Sequence, residues 1–510
     1  MTAEMSDADT PVTPEPIKSL PPTGCISNKK TFSLLVRYNA KSAKKEPSMS
    51  VTTEIMLESI NPATGEVVGC VPITPVDEIH GVVAKARDAQ PAWNALGLDG
   101  RLALMQPIAK RLAEKASEIG ELMTAEMGKS TPEAQGECAY GAEKFSSELS
   151  SAYEAFQPEE MTDEHTRSIL YRDPLGVSVA ITPWNFPMLM PQQCILPSLM
   201  AGNCVVFKPS EETPLVGQAY AEVLNEFLPE GVLQVVQGAD EQGKTLVEAD
   251  INLVAFTGSR EVGAKILTAC GPELKRVVLE LGGKDAMIVL EDADIEAAAS
   301  FAVQNSFRNS GQVCVSTERV YVDASIAEDF ESLVLEKTKE WKQGDPTDKA
   351  VKIGPMVSST QRDIVLAQLQ QALKDGAVLR CGGGTTGNYI EPTVLTGCSH
   401  DMQIMHDETF GPICCIQRFS GDSEAILLAN ETPYGLGGSV YGETEHALHV
   451  ARQLTPGMVG INKGCGGSEG TPWVGACQSG YGYHSGRDGH RQFTQVRMVS
   501  FPLETVKPKY

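Results

Sequence analysis

Asn203-Cys204-Val205-Val206-Phe207-Lys208-Pro209-Ser210-Glu211-Glu212-Thr213-Pro214 opens the stretch whose reading decides the fold. Residues 203–207 form a short apolar run, the pattern of a strand buried on both faces. Thr213-Pro214 then reads as a helix start, with proline at the first helical position, and the helix extends to about 227. The pattern repeats as strand 232–236, helix 240–248, strand 253–256 and helix 260–269. Strands alternating with helices predict a parallel sheet covered on both faces. Upstream, Thr74-Pro75 predicts the start of a helix reaching about Trp93, and 98–126 predicts a second, long helix. After Lys284 the alternation restarts with helix 293–306, strand 319–322 and helix 325–341, which predicts a second α/β domain. The polar stretch 159–172 reads as an excursion from the first domain, and 491–501 as a late strand.

A chain of 510 residues is too long for one ordinary domain, and 42% apolar content supplies a substantial core. A net charge of −24 argues against nucleic acid or an anionic membrane surface as a partner. The thirteen cysteines show neither a CxxC pair nor regular spacing, so they read as reduced thiols, most of them small core residues. The uncharged run 174–207 is long enough to cross a membrane, but Pro174, Pro183, Pro187, Pro191 and Pro197 prevent one continuous helix. It reads instead as buried interior beside a site. Residues 1–52 hold prolines, then lysines, with no helical or strand period, and are expected to be disordered. Glu4, Asp7, Asp9 and Glu15 fit a mitochondrial presequence badly, so a cytoplasmic location is expected ahead of an organellar one.

Five short segments carry chemistry. Cys314, in Phe307-Arg308-Asn309-Ser310-Gly311-Gln312-Val313-Cys314, offers a thiolate nucleophile for a carbonyl carbon. Glu280, in Leu279-Glu280-Leu281-Gly282-Gly283-Lys284, offers a carboxylate able to activate water. Alone, these would be a buried thiol and a charge at a strand end. Asn185, in Thr182-Pro183-Trp184-Asn185-Phe186-Pro187, has an amide that can donate to an alkoxide, although a turn asparagine beside prolines is the plainer reading. Glu211 follows Lys208 just after a strand, where a carboxylate can chelate a ribose diol; otherwise they are a solvated pair at a helix start. Phe256-Thr257-Gly258-Ser259-Arg260-Glu261-Val262-Gly263 passes from strand to helix, the place for a pyrophosphate, though its GxxxxG spacing is not GxGxxG. Glu408-Thr409-Phe410-Gly411-Pro412 is the fifth segment.

Together, and in this order, these segments resemble the aldehyde dehydrogenase superfamily, with weaker similarity over about 54–501. The resemblance implies a Rossmann-type cofactor domain (53–157 and 174–282), a second α/β catalytic domain (283–480) and a small β oligomerisation arm (158–173 and 488–505). The segments 166–171 and 177–181 together are expected to form the arm, which pairs with a neighbouring subunit in relatives. It implies oxidation of an aldehyde to the acid with reduction of NAD, through a thiohemiacetal and a thioester on Cys314 that Glu280-activated water hydrolyses, with Asn185 and the Cys314 N–H holding the alkoxide. Glu280 favours hydrolysis over transfer to coenzyme A. Ile181, Trp184, Lys208, Glu211, Gly258, Ser259, Gly263, Leu281, Gln361, Glu408 and Phe410 are the implied cofactor contacts, and Asn462 an implied substrate contact. Glu211 favours NAD over NADP. The site is expected to raise the thiolate fraction of Cys314. A small-molecule aldehyde is the expected partner, with no membrane or metal and with a homodimer or homotetramer as the assembly. Met49, shortly before Ile60-Asn61-Pro62-Ala63-Thr64-Gly65, makes an upstream start an alternative to a real extension.

The chain also departs from the family pattern. Cys194 stands where many relatives have a basic residue, and His484 where many have a glutamate, two groups thought to pass on the proton of the general base. Arg308 resembles an arginine that semialdehyde-specific relatives aim at a substrate carboxylate, while Gln193 replaces their second one. That leaves succinate semialdehyde as an alternative behind short or medium aliphatic aldehydes. Two other classes are weaker. Gly466-Gly467-Ser468-Glu469-Gly470 matches the GxSxG of serine hydrolases but lacks the strand before and helix after it. His446 and His449 share a helix face without an evident third metal ligand.

Overall fold

A computed structural model describes residues 55–503, so the expectations for 1–52 lie outside the described residues. Two sheets organise the chain. The first has the order Gly480–Tyr481, Arg276–Glu280, Leu253–Thr257, Val177–Ile181, Cys204–Lys208, Leu233–Val235. All its neighbours are parallel except Gly480–Tyr481, which runs antiparallel to Arg276–Glu280. The chain starts at the central strand Val177–Ile181, builds outward through Cys204–Lys208 and Leu233–Val235, then returns to the other side with Leu253–Thr257. The gap between Val177–Ile181 and Leu253–Thr257 is therefore a topological switch point, where α/β sheets open a ligand crevice at the carboxyl ends of their strands.

The second sheet has the order Val378–Cys381, Thr393–Thr396, Ile413–Phe419, Thr317–Asp323, Asp285–Val289, Gly437–Tyr441, Met458–Ile461. Only Val378–Cys381 is antiparallel to its neighbour. Period-two alternation sends Ala286 and Ile288 into one apolar cluster and Met287 and Val289 into another, so both faces are buried. The four residues 281–284 are all that separates Glu280, the last residue of a strand in the first sheet, from Asp285, the first of a strand in the second.

Three expectations need correction. Val177–Ile181 is not part of the arm but the core of the first sheet. The arm strand Thr166–Pro174 pairs instead with Glu159–Thr162 and, over its whole length, with Thr494–Pro502. Gly176, at φ 131° with the Asn252 side chain only 2.4 Å from where a Cβ would stand, lets the chain turn between the two. The helix expected over 98–126 is two, Gly97–Met105 and Ile108–Met127, because Pro107 lacks the N–H and interrupts the ladder. Thr74 does not cap a helix. Its hydroxyl accepts from Gln237 N–H, and the helix Ile79–Ala95 begins after a short 3-10 turn.

The proline-rich run 174–207 divides into two strands and the helix Leu189–Ala201, which accommodates Pro197. Among the described residues no helix is long and apolar enough to cross a membrane. His446 is held between Asp292 and Asp422 at 2.7 and 2.9 Å, an ion clamp that raises its pKa to about 9, and His449 has no part in it. No group of metal-ligating side chains occurs among the described residues.

Candidate active site

The strands place the motifs. Thr182-Pro183-Trp184-Asn185, Pro209-Ser210-Glu211, Gly258-Ser259 and Leu281-Gly282-Gly283 all follow the carboxyl ends of strands in the first sheet. Cys314 and Glu408-Thr409-Phe410 precede the amino ends of Thr317–Asp323 and Ile413–Phe419 in the second. The carboxyl edge of one sheet therefore faces the amino edge of the other. A cavity of about 680 Å³ opens between them, lined by Glu280, Cys314, Phe186, Arg308 and Trp473 among others.

Cys314 ends a loop whose Asn309 and Ser310 adopt φ of 51° and 56°, a left-handed conformation that side chains adopt only when their surroundings impose it. Those surroundings are polar. Glu133 accepts from Asn309 N–H at 3.1 Å, Ser310 Oγ donates to the Gly354 carbonyl at 3.0 Å, and Gln312 Oε1 accepts from Val357 N–H at 2.9 Å. Gly311 is obligatory, because a Cβ there would lie 2.1 Å from the Gly411 carbonyl oxygen. The thiol lies against the Glu280 carboxylate. Its pKa is raised well above the usual thiol value by burial and by the charges of Glu280, Asp285 and Glu408. This reverses the expected enrichment of thiolate. The resting group is a protonated thiol, and a base must take its proton.

Glu280 is that neighbour. Burial lifts its pKa to about 7, and Trp473 Nε1 donates to its Oε1 at 3.3 Å. The late segment carrying Trp473 also grips the strand itself: Gly480 pairs with Glu280, and Leu281 N–H donates to the Ser479 carbonyl at 2.9 Å. Asn185 Nδ2 donates to the Gln312 carbonyl at 3.1 Å, two residues before the cysteine. An amide carries two N–H groups, so a second is left for the cavity. The Asn185 carbonyl accepts from Lys129 Nζ at 2.8 Å and from Asn309 Nδ2 at 3.1 Å. Lys129 is buried in a 2.5 Å pair with Glu137, whose other oxygen accepts from Met188 N–H at 3.1 Å. Sequence reasoning missed Lys129 and Glu137. Glu137 shows only as a polar residue of a helix, and Lys129 only as a charge in the short link 128–130 between two helices, both of which ordinarily mean solvent.

On the cofactor side, Lys208 is buried, its pKa lowered by burial, with Nζ 3.4 Å from the half-exposed Glu211. Ser259 caps the helix Arg260–Cys270, whose amino end stands at the end of Leu253–Thr257. Gly263 makes room for Leu281, whose Cδ2 lies 2.5 Å from where a Cβ would stand. Glu408 accepts from Gly283 N–H at 2.9 Å, and its burial lifts its pKa to about 8. It lies so close that a Cβ on Gly282 would meet its carboxylate at 2.3 Å. Trp184 and Phe410 meet edge to face at 5.4 Å, and Gln361 donates to the Thr409 and Phe410 carbonyls. Ile181 ends the central strand beside them. A half-exposed carboxylate, a buried ammonium and a helix amino terminus at a switch point fit a dinucleotide.

Some residues lie elsewhere. The Asn462 side chain is spent on Gly442 N–H and C=O and is not a cavity contact. Ser468 lies at the cavity rim in an exposed loop followed by no helix. Cys194 is buried beside Thr257 and Glu280 with its thiol pushed up to about 12, so it brings no charge.

A model of the aldehyde dehydrogenase family matches residues 50–499 of the chain. A probable NADP(+) succinate-semialdehyde dehydrogenase of Sinorhizobium fredii is 35% identical over 471 residues, covering 90% of this chain and 96% of that protein. A betaine aldehyde dehydrogenase of the same organism is 36% identical over 469 residues, covering 90% and 96%. The crystal structure of an NAD-dependent aldehyde dehydrogenase from Sinorhizobium meliloti superposes with a TM-score of 0.86 at 33% identity, over 89% of this chain and 93% of that one.

Proposed function

The chain belongs to the aldehyde dehydrogenase family, and on that premise we propose that Cys314, Glu280 and Asn185 carry out its reaction. The protein is an NAD(P)-dependent oxidoreductase acting on aldehydes. The observation that carries the assignment of residues is the thiol of Cys314 against the carboxylate of Glu280, with the Asn185 amide fixed on the same loop. Glu280 takes the thiol proton as sulfur bonds to the aldehyde carbon. The carbonyl oxygen becomes an alkoxide, which Asn185 Nδ2 and the Cys314 N–H hold. Bound NAD supplies the acceptor for the hydrogen and electron pair that leave this carbon. Lys208 and Glu211 hold its adenosine ribose, Ser259 its pyrophosphate, and Glu408 its second ribose. Glu280 gives up the thiol proton to water, then takes a proton from the attacking water as hydroxide adds to the thioester, and the Cys314 thiolate leaves as the acid forms.

Cavity chemistry favours a second substrate reading beside simple aliphatic aldehydes. Arg308 lines the cavity, and its Nε is buried with no hydrogen-bond partner among the described residues. A carboxylate at the far end of the substrate, as in succinate semialdehyde, would satisfy it, whereas a quaternary ammonium would be repelled. The exposed apolar side chains Met161, Val496, Met498 and Phe501 on the three-stranded arm support a homo-oligomer. Apart from Cys70, the cysteines among the described residues are free thiols, which supports a reducing compartment such as the cytoplasm.

Five outcomes are expected. Cys314→Ser reduces aldehyde oxidation to background while NAD still binds in a fluorescence titration; retained turnover would end the assignment. Because Glu280 must be ionised to act and its pKa is raised to about 7, kcat of the wild type falls as pH drops through about 7. Arg308→Leu raises KM for succinate semialdehyde about tenfold or more and leaves that for butanal nearly unchanged; equal effects on both substrates would remove Arg308 from recognition. Glu211→Ser narrows a preference for NAD that is about tenfold or more in kcat/KM, chiefly by tightening NADP; an unchanged ratio would show that Glu211 does not select. Sedimentation velocity at micromolar concentration gives a dimer or tetramer, and a monomer would contradict the role of the arm.

A further inference from the structure

The charged groups facing Glu280 are carboxylates, Asp285 and Glu408, and no cation stands beside it among the described residues. Its remaining neighbours are the thiols of Cys314 and Cys194 and the indole of Trp473. A buried base in such surroundings needs a fixed donor to keep it ionised and aimed. Apart from the thiol, the one donor to it is Trp473 Nε1, at 3.3 Å from Oε1. Its other oxygen, Oε2, is buried with no hydrogen-bond partner among the described residues.

Trp473 is itself held from behind. It lies on the strand Trp473–Val474, paired antiparallel with Tyr483–His484, so that Trp473 and His484 stand directly opposite. The indole and imidazole stack with centroids 6.2 Å apart and planes 13° from parallel. His484 is buried, its Nδ1 is 3.0 Å from Ser485 Oγ, and its Nε2 has no partner. Glu148 and His490 are the charged groups facing it, and they are paired to each other at 3.3 Å. Burial lowers the His484 pKa to about 4, so the ring stays neutral where the enzyme works. A neutral ring behind the indole acts as a backing plate rather than as a proton carrier.

We propose that Trp473 is the positioning residue of the general base: its indole N–H fixes the Glu280 carboxylate for deacylation, and His484 fixes the indole by stacking. The proposal rests on Glu280 being the base. The proton that Glu280 takes from water then returns to water in the cavity.

Trp473→Phe removes the N–H and keeps a ring for His484 to stack on. Losing one donor to the ionised form raises the pKa of the base, so the acidic limb of kcat moves up by roughly half a unit to one unit. Hydrolysis becomes slower than acylation, and rapid mixing shows a burst of about one NADH per active site. His484→Ala moves the limb the same way, and His484→Phe, which preserves the stack, restores the wild-type limb. An unmoved limb in Trp473→Phe, whether kcat falls or not, overturns the proposal, since a packing role alone lowers rate without retitrating the base. A His484→Phe limb displaced as far as that of His484→Ala overturns the part assigned to stacking. Glu280→Gln separates the levels. If it loses turnover while Trp473→Phe behaves as wild type, only this inference fails; if it keeps turning over, the assignment of Glu280 fails.

Discussion

Lys284 and Glu318 form a buried ion pair on which the geometry of the site depends. Their side chains are 0% and 4% exposed, and Nζ lies 2.5 Å from Oε2. Lys284 ends the crossing from one sheet to the other, and Glu318 is the second residue of the adjacent strand Thr317–Asp323. Glu318 spends its remaining capacity on Thr409 N–H and Phe410 N–H, each at 2.8 Å, and Lys284 also donates to Thr409 Oγ1 at 2.9 Å. Three segments distant in sequence are thereby locked together, and Glu408 is delivered onto Gly283. Such a pair contributes little net stability over an apolar substitute, but loss of one partner costs about 3–5 kcal/mol. Its value lies in register, because the carboxylate that faces the cofactor cannot shift without stranding a buried charge.

A second buried pair does the same for the alkoxide site. Lys129 and Glu137 fix both the Asn185 carbonyl and the amino end of the helix Leu189–Ala201. The donor amide of Asn185 is therefore aimed before substrate arrives, and no reorganisation is required when charge develops. Around the sulfur, by contrast, the field is negative from Glu280, Asp285 and Glu408. The site thus combines an amide donor held in place for the proposed alkoxide with a thiol held protonated. Reactivity is withheld until the proton has somewhere to go.

Much of this was legible in the chain because βα alternation is a local pattern and strand ends are where the motifs fall. The segments at Glu211 and Ser259 each follow a strand that its apolar run identified. What escaped depends on long-range partners. Lys129, in a helix–helix link, and Glu137, on a helix, are ordinary polar positions until the fold buries them. Lys284 stood inside a quoted motif with no role, since its partner is reached only by sheet pairing. The pKa of Cys314 was misjudged in direction because its carboxylate neighbours come from separate segments. Val177–Ile181 was misassigned because a run of alternating small and β-branched residues does not say which sheet it joins. Pro107, by contrast, was a local signal left unread.

The strap formed by Trp473, Ser479 and Gly480 over the edge of the first sheet has a consequence for biosynthesis. The sheet it closes is composed of strands between Val177 and Glu280, so the nucleotide-facing half is synthesised nearly two hundred residues before the strap that completes it. A ribosome-bound chain can fold its earlier elements as they emerge. Its Glu280 strand nevertheless remains an open edge until the residues around Gly480 appear. The last tenth of the polypeptide therefore decides when the nascent sheet stops being a template for aggregation, and the same event makes the enzyme competent.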